Sequence, residues 1–191
     1  MSPAPAPTDA AILWIAGLGV VVLAGLLVGW RRRTTGSRRA LANELDDRLA
    51  ESIPTGTASH LERSPTVRRL AVADVDVEDG STETFVPVVR VALGTSDRPG
   101  TELALEYVAE VIETIHPVFR ERDERVDRYD VEFTFGPGGL VVSGECRRVS
   151  VPADLADRLL EDERYRAFDL HRDVDRDDGE TATLWGRCLE Y

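Results

Sequence analysis

Ala10 to Trp30 is an unbroken run of 21 apolar residues, and behind it the pattern breaks into shorter alternations and amphipathic stripes. A helix of that length rises roughly 31 Å at about 1.5 Å per residue, which matches a hydrocarbon core about 30 Å thick. Trp14 and Trp30 stand near its ends, where amphipathic rings favour the interface. The run predicts a single transmembrane helix over residues 10–30. Next, Thr34-Thr35-Gly36-Ser37 breaks the pattern, and Ser37 is placed to cap a helix from Arg38 to Ser52. Leu41, Leu45 and Leu49 fall four apart on one face of that helix. Three leucines make a thin stripe, which predicts a stalk helix or one that docks on a partner. Pro54 to Ser59 and Ser64-Pro65 frame a polar linker, so the folded domain is expected from Thr66 onward.

Within that domain, Ala71, Ala73, Val75 and Val77 alternate with Val72, Asp74, Asp76 and Glu78, the two-residue period of a strand with one wet face. Asp79-Gly80 marks a turn. Phe85 to Leu93 is nearly all apolar and suits a central strand covered on both faces, with Pro87 at its start or at a bulge. A helix follows from Thr101 to Phe119, burying Ala104, Val108, Val111, Ile112 and Ile115 and wetting Glu102, Glu106, Glu110 and Glu113; Pro117 is a stop or kink. Val131, Phe133 and Phe135 then alternate with Asp130, Glu132 and Thr134. Gly136-Pro137-Gly138-Gly139 turns that strand back into Leu140 to Val151 as a hairpin. Pro152 starts a helix with Leu155, Leu159 and Leu160 inward, Asp173 to Gly179 forms a solvated loop, and Thr181 to Leu189 closes as a strand. The ββα-ββα-β order predicts an α+β domain over residues 66–191, a mainly antiparallel sheet with two helices on one face.

The flanks of the span set its orientation. Residues 1–9 carry no basic side chain, whereas Arg31, Arg32, Arg33, Arg38 and Arg39 follow the span with no acid among them. The positive-inside rule therefore predicts a short extracytoplasmic tail at 1–9 and a cytoplasmic C-terminal part. A cleaved signal would carry its basic residues before a shorter apolar core, the reverse of this arrangement. The five arginines are placed to meet anionic head groups, making residues 31–65 a basic juxtamembrane stalk and linker. Gly25 and Gly29 have the small-xxx-small spacing of a helix dimer seam, though an ordinary lipid-facing helix also tolerates glycine.

Charge is unevenly spread. The chain has 35 acids against 23 basic residues, a net −12, with residues 31–65 at +2 and residues 66–191 at −13. So acidic a domain repels nucleic acid, which is excluded as a partner. All 23 basic residues are arginine; there is no lysine. In this respect the whole chain resembles the membrane-anchored proteins of halophilic archaea, a resemblance of composition that implies an organism type and no activity. Concentrated salt screens like charges within a few ångströms, which makes such a surface tolerable.

Candidate chemistry is thin. Asp173 to Gly179 fails as a calcium loop because its sixth position is Asp178 and its twelfth Leu184, where glycine and glutamate are needed; the stretch from Asp74 fails likewise. Cys146 and Cys188 each follow a Gly-x, on predicted strands. Two cysteines are too few for a disulfide framework, and a cytoplasmic address keeps thiols reduced, so buried free thiols are expected. Zinc would need two more ligands, and His60, His116 and His171 are scattered; none has a partner at triad spacing. Arg147 and Arg148, with Arg164 and Arg166, invite an anion site, but in so acidic a domain they are expected to pair with Asp and Glu. No catalytic, cofactor-binding or metal-binding residue is predicted. The function expected is a membrane-tethered cytoplasmic protein-interaction or scaffolding module. The alternatives are a membrane-associated enzyme using Cys146 or Cys188, and a cell-surface domain if the orientation is reversed.

Overall fold

The computed structural model describes residues 36–55, 60–76, 82–136, 144–177 and 181–188, without the side chains of 74–76 and 82. The predicted tail 1–9 and span 10–30, with Trp14, Gly25, Gly29 and Trp30, lie outside the described residues, as do Arg31 to Arg33, the Asp79-Gly80 turn and residues 137–139 of the hairpin turn. Among the described residues no helix is long and apolar enough to cross a membrane. Ala42 to Tyr191 form one compact unit; of the unit before it, only residues 36–41 are described, in helical backbone.

The first helix, α1, covers residues 36–52. Gly36 and Ser37 are already helical, so Ser37 does not cap it as expected. Leu45 and Leu49 are fully buried. Rather than standing off as a stalk, residues 42–52 are tied into the folded unit. Asp46 Oδ1 accepts the Val67 N–H at 2.6 Å, the Ser52 hydroxyl donates to Thr114 Oγ1 at 3.0 Å while Thr114 donates to the Glu110 carbonyl, and Glu44 pairs with Arg122. Burial raises the Asp46 carboxyl above its ordinary pKa, against the opposing pull of the Val67 N–H.

Strands β1 (Thr66–Asp76) and β2 (Thr82–Ala92) pair antiparallel. Helix α2 (Thr101–Glu121) carries the chain back, so that the short β3 (Arg125–Val126) and the long β4 (Arg128–Phe135) both lie parallel to β2. β5 (Glu145–Pro152) is antiparallel to β4. After helices α3 (Ala153–Glu161) and α4 (Ala167–Arg176), β6 (Thr183–Arg187) pairs antiparallel with β5. The six-stranded sheet runs β1-β2-β4-β5-β6, with β3 beside β2. This is an α+β domain with a mainly antiparallel sheet, and the predicted order is recovered with β3 and α4 added.

Three local differences from the sequence reading have physical causes. Pro87 sits in mid-strand, opposite Leu70, rather than at a start or bulge. On its other side it falls between the β3 pairing at Thr84 and Phe85 and the β4 pairing that begins at Val88, where its missing N–H leaves less of the ladder unpaired. Pro117 does not stop α2, because burial of Val118 and Phe119 holds the last turn. The carbonyl of exposed Glu113, which loses its donor, is left to water. The expected loop from Asp173 is instead the last turn of α4 as far as Arg176. Leu170 and Val174, four apart, are buried, and Asp169 pairs with Arg172 and Asp173 with Arg176 along the wet side.

Alternation along β4 divides the sheet into two faces. Tyr129 and Phe133 point toward the helices: Tyr129 meets Phe119 edge-on at 6.2 Å, and Phe85 meets the same ring at 6.3 Å. Asp130, Glu132 and Thr134 point the other way.

Candidate functional site: an arginine-lined cleft beside a disulfide

By its pattern, β4 should present Asp130 and Glu132 to water. Both are fully buried. The cover comes from neighbouring strands, whose register sets Arg90 of β2 and Arg148 of β5 on either side of Glu132, and Ser150 opposite Asp130. The Glu132 carboxylate accepts from Arg68 Nη1 at 3.1 and 3.0 Å and from Arg90 Nη2 at 2.9 Å. Asp130 accepts from Ser150 Oγ at 2.6 Å and from Arg148 Nη1 at 3.3 Å, with Arg128 Nε at 3.5 Å. Carboxylates of this kind tolerate burial only because each is paired and hydrogen-bonded.

Cys146 and Cys188 are joined in a disulfide, with Cα atoms 5.8 Å apart; the expectation of free thiols is overturned. They continue the antiparallel register beyond the Arg147–Arg187 pair, which brings them face to face across the β5–β6 edge. Nor are they buried: both are partly exposed. The glycines two residues before each have separate reasons. A Cβ on Gly144 would lie 2.7 Å from the Phe135 carbonyl oxygen, and one on Gly186 would lie 2.8 Å from Thr183 Cγ2, so neither position admits a side chain without movement. The sulfurs and a Glu132 carboxylate oxygen all lie within 4.8 Å of one another. As a staple across 42 residues of chain, the bond contributes at most about 4 kcal/mol by loop-closure reasoning.

Above this group opens a cleft of about 440 Å³, lined by Arg68, Arg90, Arg147, Arg187, Glu145 and the disulfide. Four arginines line it in a domain of net −13, Arg90 from the Glu132 face and Arg147 and Arg187 from register positions of the Phe133 face. Arg68 and Arg90 are committed to Glu132. Arg147 lies 3.6 Å from exposed Glu145, and Arg187 has no ion pair among the described residues. The buried Nε of Arg90 also lacks an acceptor. The arrangement has donors to spare, in the fork geometry that matches carboxylates.

The arginines singled out by sequence do not act together. Arg148 pairs with Asp130, as expected of an arginine in an acidic domain, while Arg147 lines the cleft. Arg164 and Arg166 lie between α3 and α4, and neither lines the cleft. A second cleft of about 540 Å³ lies along Asp127, Arg128, Arg148, Ser150, Asp154 and Thr183; its Ser150 hydroxyl is held by Asp130, with no histidine among the lining residues.

His116 gains partners that no linear spacing announced. Nδ1 lies 2.5 Å from Tyr129 Oη and Nε2 lies 2.9 Å from Asp157 Oδ1. Burial, reinforced by the Asp157 charge, pushes the Tyr129 hydroxyl far above its ordinary pKa, so it stays protonated and donates to Nδ1. Nε2–H then donates to Asp157. The chain ties α2, β4 and α3 together; Tyr129 is fully buried, and neither it nor His116 lines either cleft described above.

Sequence reasoning missed Arg68, Arg90, Glu132 and Arg187. The available signal was the pair of acids Asp130 and Glu132 at alternate positions of β4, on a strand whose neighbours each carry an arginine, but using it needed the strand order. No protein-family model, curated protein or solved structure matches the chain.

Proposed function

We propose that the chain is a membrane-tethered interaction module, anchored through residues 10–30 with residues 31–191 on the cytoplasmic side. Its arginine-lined cleft receives an acidic segment of a protein partner. The observation that carries this reading is that Arg68, Arg90, Arg147 and Arg187 all line one cleft of an otherwise acidic domain. In the molar salt that the composition suits, charge acts over only about 3 Å, so general repulsion of an acidic partner fades while contact-range guanidinium–carboxylate pairing survives. The five arginines behind the span hold the domain near anionic head groups.

The test uses the full chain in detergent and molar KCl, titrated with a fluorescent oligoglutamate peptide and with its oligoarginine counterpart. The acidic peptide is expected to bind, and R147Q and R187Q to weaken it by about tenfold each, the scale of one lost charge-assisted contact. Binding that is absent, or indifferent to both substitutions, overturns the reading.

A second reading, a cell-surface domain in reversed orientation, is favoured by the disulfide, since such bonds persist in oxidising compartments. Protease added to intact cells distinguishes the two: the cytoplasmic reading requires residues 31–191 to be spared, and the surface reading requires them to be cut.

A further inference from the structure

We propose that Cys146, Cys188 and Glu132 form a metal site once the disulfide is reduced, with a divalent cation of the zinc class as its ligand and solvent in the fourth position. The inference goes beyond the interaction reading and rests on it only for the cytoplasmic address, where cysteine pairs are kept reduced.

Strand alternation puts the three groups on one face. Cys146 stands opposite Thr134, on the face of Glu132, and β6 carries Cys188 to the same side, in phase with Gly186 opposite Arg148. Both sulfurs and a Glu132 carboxylate oxygen lie within 4.8 Å of one another. A tetrahedral zinc with Zn–S bonds of about 2.3 Å and a Zn–O bond of about 2.1 Å holds such atoms about 3.6–3.8 Å apart. Breaking the S–S bond lets the sulfurs part to that spacing by side-chain rotation, from Cα atoms 5.8 Å apart. Two cysteines alone lacked further ligands in the sequence; the register supplies a third in Glu132.

The carboxylate is suited to the role. Its Oε2 accepts from Arg68 and Arg90, but Oε1 accepts from Arg68 alone among the described residues, which leaves an acceptor position there. The same two guanidinium groups fix its orientation, as the outer partners of metal ligands do. They repel a cation, but two thiolates and a carboxylate outnumber them. A carboxylate beside two thiolates is unfavourable by itself, and a dication reverses the sign. Thiolates select a thiophilic metal, and the carboxylate favours zinc over the softer copper(I). Glu132 is fully buried whereas both cysteines line the cleft, so solvent reaches the cation from the sulfur side. Three protein ligands and one solvent position is the form of zinc sites that exchange a ligand, not of closed structural ones.

Loading balances in two steps. A dithiol reductant passes two electrons and two protons to the Cys146–Cys188 bond, leaving two cysteine thiols and its own disulfide. The cation then displaces both thiol protons to solvent.

The test uses the full chain in detergent and molar KCl, either oxidised or reduced with a phosphine, loaded with Zn²⁺ and desalted. The reduced chain is expected to retain one zinc per chain and the oxidised chain none. Co²⁺ added to the reduced chain should give thiolate-to-cobalt charge-transfer absorption, and Cys188→Ser should abolish it. Glu132→Asp keeps a charge for Arg68 and Arg90 but withdraws the oxygen by one methylene. It should weaken zinc by at least about tenfold in competition with a chromophoric chelator, with circular dichroism unchanged. Zinc retained equally by the oxidised chain or by Cys188→Ser, a reduced chain that holds none, or an affinity that Glu132→Asp and Glu132→Gln both leave unmoved overturns the proposal. Protease added to intact cells is read separately. Zinc binding with residues 31–191 cut sinks the cytoplasmic address alone; residues spared without zinc binding sink the metal site alone.

Discussion

One strand, β4, builds two unlike interiors. On the helix side Tyr129, Val131 and Phe133 are buried against α2 and against Trp185, whose ring centre lies 6.0 Å from that of Phe133. On the other side Asp130 and Glu132 are buried just as completely, yet under arginines delivered by β1, β2 and β5. The first interior follows from area removed from water and is indifferent to charge. The second stands only while opposite charges keep their register, because a buried carboxylate without its partners is costly. The comparison teaches that burial alone does not reveal what holds a face together.

The largest effect should come from the helix side. Phe133→Ala removes a fully buried ring and is expected to cost about 3–5 kcal/mol, read as a lowered urea midpoint at unchanged slope in molar salt. A cost under about 1 kcal/mol would mean that this side collapses readily and is not the rigid interior described.

Glu132→Gln probes the opposite side. It leaves Arg68 and Arg90 without their anion, but both remain partly exposed and regain water, so the expected loss is about 1–3 kcal/mol, below that of Phe133→Ala. The triple change E132L/R68M/R90M should recover much of that loss, because exchanging a whole buried ion group for apolar packing is often close to neutral. A triple variant worse than the single one would show that the charges contribute more than their own mutual satisfaction.

What the sequence disclosed follows the same division. Periodicity found the apolar side of β4, the buried stripe of α2 and the strand order of types, because these depend on neighbours a few residues apart. It set Asp130 and Glu132 on the face opposite the apolar residues and left their burial unread, since alternation distinguishes faces but not what lies over them. Their partners Arg68, Arg90 and Arg148 stand 64, 42 and 16–18 residues away, and only the β1-β2-β4-β5 order brings them together. The cysteines failed for a related reason: their shared Gly-x context placed both on strands, but a general argument from compartment outweighed a register that was not yet known. In α4, a dense run of charge hid the Leu170–Val174 pair that makes it a helix.

Asp177 offers the smallest and most selective test, because it is a carboxylate held by neither interior. Its Oδ2 accepts the Thr181 N–H at 2.7 Å and the Ala182 N–H at 2.5 Å, joining the end of α4 to the start of β6. Those backbone donors, Ala182 first, hold its carboxyl below the ordinary value of 3.8. A lowered folded-state pKa means that the unfolded chain binds more protons there. The contribution to stability is therefore present above the ordinary value and is lost as pH falls through the folded one. Asp177→Asn keeps an acceptor oxygen but loses the charge, so the variant should be slightly less stable at neutral pH. The gap should be smaller in acid below pH 3.8 than at neutral pH, because the wild-type group becomes neutral as pH falls through its lowered folded-state value. Urea midpoints of both proteins at the two pH values, in molar salt, measure that gap directly, since every other carboxylate titrates alike in each. A gap that persists undiminished in acid would mean that Asp177 acts through the shape of its turn and not through its charge. The edge strand β6, and with it Cys188, would then be held by backbone geometry rather than by the electrostatics that govern the face beside it.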